Sequence, residues 1–126
     1  MMVIYLMFGF FKKKIKKIYM IVYKLIRKMK DGKLSPLFIN KKSRMDIGVW
    51  MDAENHPTKG FVVRQGWHCT LEPNAPHLSE KNRVWVEVEV EDIEYYNRPK
   101  SQGGVWVLAQ KMKINKEIKR EEYYGL

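Results

Sequence analysis

Residues 83–90 (RVWVEVEV) alternate strictly: Val84, Val86, Val88 and Val90 fall on one side of an extended chain, Trp85, Glu87 and Glu89 on the other. A period of two is the mark of a half-buried strand, so this segment anchors the reading of the rest. Residues 105–114 repeat the idea and place Trp106, Leu108, Met112 and Ile114 on one face, with Gln110 the polar exception. Residues 21–27 are rich in β-branched and aromatic side chains and run toward Asp31-Gly32, a strong turn signal. A second, short strand is expected over residues 37–39, after Pro36. Residues 61–64 are expected to lead through Gln65-Gly66 into residues 67–71 as one bent strand.

Between these strands the pattern lapses. Residues 40–60 and 91–104 read as long loops punctuated by Asn, Pro and Gly, with one helical turn expected over residues 46–54. Residues 115–124 are charged and of good helix propensity, which predicts a short C-terminal helix. The fold expected is α+β and β-rich, a mostly antiparallel sheet with long loops and one or two short helices. A doubly wound fold is excluded because the middle of the chain has no amphipathic crossover helices. Three regions follow: an apolar and basic extension over residues 1–19, a single β-rich domain over 20–114, and a charged tail over 115–126.

Composition narrows the class. A chain of 126 residues fits one domain with one modest core. A hydrophobic fraction of 45% with 13% aromatic residues excludes global disorder. One cysteine, Cys69, cannot form an internal disulfide, which fits a reducing, cytoplasmic setting. The formal charge of +10 is unevenly placed: residues 1–19 carry five lysines and no acid, and the remainder holds 19 basic against 14 acidic residues. Such a charge predicts weak nonspecific attraction to polyanions and says nothing about fold.

The apolar run of residues 1–11 precedes its lysines, the reverse of a secretory signal. It is also shorter than the roughly 20 residues a membrane-spanning helix needs. Peripheral contact with an anionic membrane surface is one reading of residues 1–19. The other, preferred because every predicted core strand begins at or after Met20, is an extension without structural consequence.

Chemistry concentrates in Gly66-Trp67-His68-Cys69-Thr70 and Pro73-Asn74-Ala75-Pro76-His77-Leu78, which hold two of the three histidines and the only cysteine. Imidazole serves as acid, base or ligand near neutral pH. A zinc site from His68, Cys69, His77 and His56 fails on spacing, since adjacent strand residues point to opposite faces. Cys69 is expected to be a buried, inert thiol beside Trp67 and Leu71, and His68 to share the opposite face with Thr70. Although His68-Cys69-Thr70 and His77-Leu78-Ser79 are similar to two-histidine phosphoesterase motifs, they lie too close together and no duplicated lobe accompanies them. Ahead of the last strand, residues 97–104 read first as a solvated connection with a glycine bulge; the lesser reading has Arg98, Lys100 and Ser101 with Gly103-Gly104 cradle an anion on exposed backbone N–H groups. A phosphate-loop NTPase is excluded, because no such motif occurs. The basic residues near the C-terminus are interleaved with Glu117, Glu121 and Glu122 and read as a solvated face.

The segments Lys33-Leu34-Ser35-Pro36-Leu37-Phe38-Ile39, Lys59-Gly60-Phe61, Gly66-Trp67-His68, Ala75-Pro76-His77-Leu78, Arg83-Val84-Trp85 and Ser101-Gln102-Gly103-Gly104-Val105-Trp106 together resemble an uncharacterised family of small single-domain proteins from gut bacteria and their phages. The resemblance spans roughly residues 20–114. It implies a domain of mobile-element type and transfers no catalytic residue. More distantly, the glycine-aromatic-histidine strand looks like the start of some ADP-ribosyltransferase-like folds, which would cast Arg27, His68 and Glu87 or Glu89 in substrate-gripping roles by fold analogy alone.

Two functions are therefore expected. The leading one is a non-enzymatic binding or accessory domain whose polar site is lined by His68, His77, Arg83, Arg98, Ser101 and Gln102, without metal or cofactor. Its ligand would be an anionic small molecule or nucleotide. The alternative is a nucleotide- or phosphoester-processing enzyme with His68 as general base and Arg98 as anion binder.

Overall fold

A computed structural model describes residues 20–37, 43–53 and 66–125. The extension over residues 1–19, the strand expected over 61–64, most of that expected over 37–39, and His56 lie outside the described residues. The described residues form six strands: β1 (Met20–Lys28), β2 (Leu34–Ser35), β3 (Trp50–Asp52), β4 (Trp67–Thr70), β5 (Arg83–Asn97) and β6 (Val105–Ile118). A 3-10 turn, Lys100–Gln102, and a four-residue helix, Arg120–Tyr123, complete the described elements. The chain is β-rich and its strands form one antiparallel sheet.

That sheet closes on itself. β1 pairs with β5, β5 with β6, β6 with β4, and β4 returns to β1, while β2 and β3 flank the ring. Inside lies an apolar core drawn from every ring strand: Val22 and Ile26, Cys69, Val86, Val88 and Val90, then Val107, Ala109, Met112 and Ile114. Burying each of its valine, isoleucine and methionine side chains stabilises the fold by about 1.5–3 kcal/mol. The alternate residues form a second cluster on the outer face, where Leu25, Trp85 and Trp106 pack with Leu37 and Ala75. Trp85, expected on the polar side of its strand, is thus buried on the opposite side of the sheet from the valines. Beyond it, Glu87, Glu89 and Glu91 stand opposite Lys116, Lys113 and Lys111 in register, so the outer face turns to paired charge.

The strongest departures from expectation lie in β5 and β6. Residues 91–97, expected in a loop, continue β5, because their backbone pairs with residues 105–111 of β6. Simple alternation breaks within both strands, which hid this continuation. In β5 the core residues are Val86, Val88 and Val90 and then Ile93; in β6 they are Val107 and Ala109 and then Met112 and Ile114. Trp106 and Leu108 therefore do not share a face with Met112 and Ile114. The change of face falls at Asp92, whose φ of 54° lies in the left-handed region, opposite Gln110. Each strand spends one residue on the turnover, so register is kept across it.

A second irregularity corrects the helix expected from residue 115. Glu87 pairs with Lys116 but Val88 with Ile114, leaving Asn115 as the extra residue of a bulge. Its amide donates to the Glu87 carboxylate at 3.0 Å. Past the bulge Ile118 faces the outer cluster with Trp85 instead of following Ile114 inward. The strand thus runs past Ile114 to Ile118, and only Arg120–Tyr123 is helical. The helical turn expected over residues 46–54 is also absent from its described part. Trp50–Asp52 pair with residues 111–113 of β6, and Ile47 bridges Ile114. In both places strand pairing overrides local propensity.

If the face change at Asp92 sets the path of β5, a β-branched residue there is penalised by about 1–2 kcal/mol, the cost of left-handed backbone for an ordinary residue. We therefore expect Asp92→Val to lower the midpoint of urea unfolding and Asp92→Gly to leave it unchanged or raise it. Equal loss in both variants would show that the Asp92 side chain, not its backbone, is what matters.

Candidate functional site

On the outer face, where β5, β1, β4 and β6 adjoin, a half-open cavity of about 260 Å³ is lined by residues from all four strands. Tyr23 and Leu25, His68 and Thr70, Trp85 and Trp106 form its floor; Pro36 and Leu37, then Ala75, His77 and Leu78, roof it. Register explains the floor, since Leu25 pairs with Trp85, Tyr23 with Thr70, and Thr70 with Trp106. In β4 the odd positions Trp67 and Cys69 oppose Ala109 and Val107 of the core, which leaves His68 and Thr70 for the other face. Gly66 admits β4 at this point. Its φ of 132° suits glycine, and a Cβ there would meet the Ala109 carbonyl oxygen at 2.9 Å.

β1 and β4 share a single register pair, Tyr23 with Thr70. Beyond it the strands part, and the Lys24 ammonium donates to the His68 carbonyl at 2.8 Å, in place of a backbone N–H. Lys24 also lies 5.9 Å from the Trp67 ring centroid and lines the cavity. Burial lowers its pKa, and the neighbouring Cys69 acts weakly in the other direction. Lys24 was not singled out from sequence. A lysine inside a β-branched strand resembles any solvated position, and the only signal was its even spacing with Val22 and Ile26.

The two histidines singled out from sequence line the same cavity. His68 Nδ1 is 2.6 Å from the Tyr96 hydroxyl, and the two rings meet edge to face. His77 meets Trp106 edge-on at 5.7 Å, with Nε2 3.4 Å from Arg98 Nη1. The Arg98 guanidinium lies 4.6 Å from the Trp106 ring centroid and 5.6 Å from that of Tyr96, within cation–π range. Its Nη1 donates a long 3.4 Å contact to the Gln102 side chain. The His77 pKa is lowered, first by burial and then by the Arg98 charge.

The other sequence candidates fall elsewhere. Arg83 donates to the Ser79 carbonyl at 3.0 Å outside the cavity. Ser101 is exposed on the 3-10 turn, and Gln102 reaches the site only through Arg98 and through its carbonyl, which accepts the Trp106 indole N–H at 2.7 Å. The Gly103-Gly104 backbone, for which an anion cradle is the lesser reading, is occupied by the turn itself: Gly103 N–H donates to Lys100 O and Gly104 N–H to Pro99 O. The ADP-ribosyltransferase-like set is dispersed. Arg27 donates to the Leu37 carbonyl, Glu87 accepts from Asn115, and Glu89 pairs with Lys113. Of that set His68 alone lines the cavity. Among the described residues no cluster of three or more His, Cys, Asp or Glu could hold a metal, and no helix is long and apolar enough to cross a membrane.

Comparison of the chain with protein-family models, with curated proteins and with solved structures found no match.

Cys69 is fully buried, and burial pushes its thiol up to about 11. The folded state holds the proton more tightly than the unfolded one, so this contribution to stability is intact below the ordinary thiol pKa and is lost as pH rises from about 9 toward 11. We expect native protein at pH 8 to resist a thiol-specific disulfide reagent until denaturant is added. Fast labelling of native protein would contradict the buried assignment. For His77 the sign is opposite, because the folded state disfavours its proton; the linked stability is present above the ordinary histidine pKa and is lost as pH falls below it. Removing the guanidinium with Arg98→Met should move the His77 pKa upward in an NMR titration. No movement would mean that burial alone sets it.

Proposed function

We propose that this chain is a small-molecule-binding accessory domain of mobile-element type, acting in the reducing cytoplasm without chemistry of its own. One observation carries the reading. His68 of β4, His77 of the loop that follows it and Arg98 at the end of β5 share one cavity with Lys24 and the indoles of Trp67, Trp85 and Trp106. Apolar walls with a few convergent polar groups are what ligand sites offer. Cys69 lies on the core side of β4, away from the cavity lining, and burial keeps its thiol protonated, unsuited to nucleophilic work. Size also discriminates. At about 260 Å³ the cavity falls below the roughly 300–1,000 Å³ of pockets for drug-sized ligands, which disfavours enclosure of a nicotinamide dinucleotide.

The enzymatic reading retains one supporting contact. His68 is held at Nδ1 by Tyr96, as an orienting partner would hold a general base.

One panel of mononucleotides, cyclic phosphodiesters and small organic acids tests both readings. Ligands are scored by thermal shift and by tryptophan fluorescence, which three indoles at the cavity should report. Ala75, buried and lining the roof, is replaced by Trp to fill the space; Leu78→Phe is a milder second plug. We expect ligands that stabilise the native chain to lose their effect in the plugged variants. Ligands that bind both equally, or a panel without a binder, would remove the cavity from the function. Turnover of a phosphoester that falls about 10²–10⁴-fold in His68→Ala would instead establish the enzyme.

A further inference from the structure

Several of the described acids are engaged away from the cavity. Lys28 pairs with Glu117, Arg44 with Asp31, Lys113 with Glu89 and Arg120 with Glu80. On the loop that roofs the cavity, Glu72 accepts the Tyr124 hydroxyl and Glu80 also accepts the Trp85 indole N–H. Among the described residues, no Asp or Glu lines the cavity. Lys24 and Arg98 meet only neutral groups there: the His68 carbonyl and Trp67 ring for the one; His77, Gln102, Tyr96 and Trp106 for the other. A half-buried ammonium with no counter-ion among the described residues is costly. A bound anion would cancel that cost.

The surroundings restrict which anion. Leu25, Leu37, Ala75 and Leu78 supply apolar wall, so the ligand needs an apolar body. Phosphate sites commonly present a nest of free backbone N–H groups, but those of Gly103 and Gly104 are spent within their own turn. A compact ammonium suits a single carboxylate. At a liquid volume of about 30 Å³ per molecule, 260 Å³ would hold roughly nine waters, which limits the enclosed body to roughly ten non-hydrogen atoms.

Building on the binding reading above, we infer that the cavity takes a small organic acid, its apolar body against the aliphatic and indole walls and its carboxylate paired with Lys24, with Arg98 as the second cation.

The test uses the full chain and isosteric acid and amide pairs, phenylacetate with phenylacetamide and hexanoate with hexanamide, titrated by tryptophan fluorescence and calorimetry. Phenyl phosphate serves as the competing anion. We expect each acid to bind about 10- to 100-fold more tightly than its amide, the range of one charge-assisted hydrogen bond. In Lys24→Met the preference should collapse while amide affinity is retained, a pattern that a merely structural lysine would not produce. Equal binding of acid and amide overturns the inference and leaves the binding reading standing. Preference for phenyl phosphate overturns the carboxylate assignment. Failure of all four probes at millimolar concentration overturns the inference, while the broader panel above decides the binding reading separately. Because the acid and amide comparison is made on the native chain, it stands even if Lys24→Met fails to fold.

Discussion

The pairing of β5 with β6 is the constraint on which the rest depends. These two strands supply most of the inner core and part of the cavity floor, and both must change face midway to do so. The change succeeds because it occurs in both strands at opposed positions, Asp92 and Gln110, so the register between them survives. A turnover in one strand alone would send either Val107 and Ala109 or Ile93 away from the core. The cost is one non-glycine residue in left-handed backbone, met by an aspartate, a residue type that tolerates it.

From that pairing the site follows geometrically. Inner positions of β1, β4, β5 and β6 are committed to the core, so the intervening outer positions are free to carry the indoles of Trp85 and Trp106 and the imidazole of His68, to which the flanking segments add His77 and Arg98. The Asn115 bulge extends the outer cluster by turning Ile118 toward Trp85. The 3-10 turn holds Arg98 from the far end, because the Arg98 N–H donates to the Gly104 carbonyl at 2.8 Å and its guanidinium reaches the Gln102 side chain. Outer-face packing and most of the candidate chemistry therefore share residues, while Lys24 and Trp67 reach the cavity from core-facing positions at the seam.

Much of this was legible from sequence where alternation was clean. The valine face of β5 and the buried position of Cys69 opposite His68 and Thr70 follow from a period of two, and the structure has both. His68, His77 and Arg98 drew attention by residue type, and they do line one cavity. Legibility failed where backbone irregularity reset the parity. Asp92 made residues 91–97 look like loop, and Asn115 made a strand end look like a helix start. Arg83 and Ser101 were chosen for their chemistry, but their positions at a strand start and a turn take them out of the cavity. Lys24 was passed over for the converse reason: nothing in a sequence says that two strands will part at one residue and leave an ammonium to bridge them.

That parting has a mechanical meaning. The ring is held along longer ladders everywhere except between β1 and β4, where one backbone pair, the Thr70 hydroxyl donating to the Tyr23 carbonyl and one lysine close it. A closed sheet opens most readily along its shortest ladder, so local breathing should concentrate at this seam. The cavity lies across the same line. A guest bridging Lys24 and the β4 side would act as a clasp, tying occupancy to the integrity of the whole ring by mass action. In such a protein the doorway and the weakest joint are one structure.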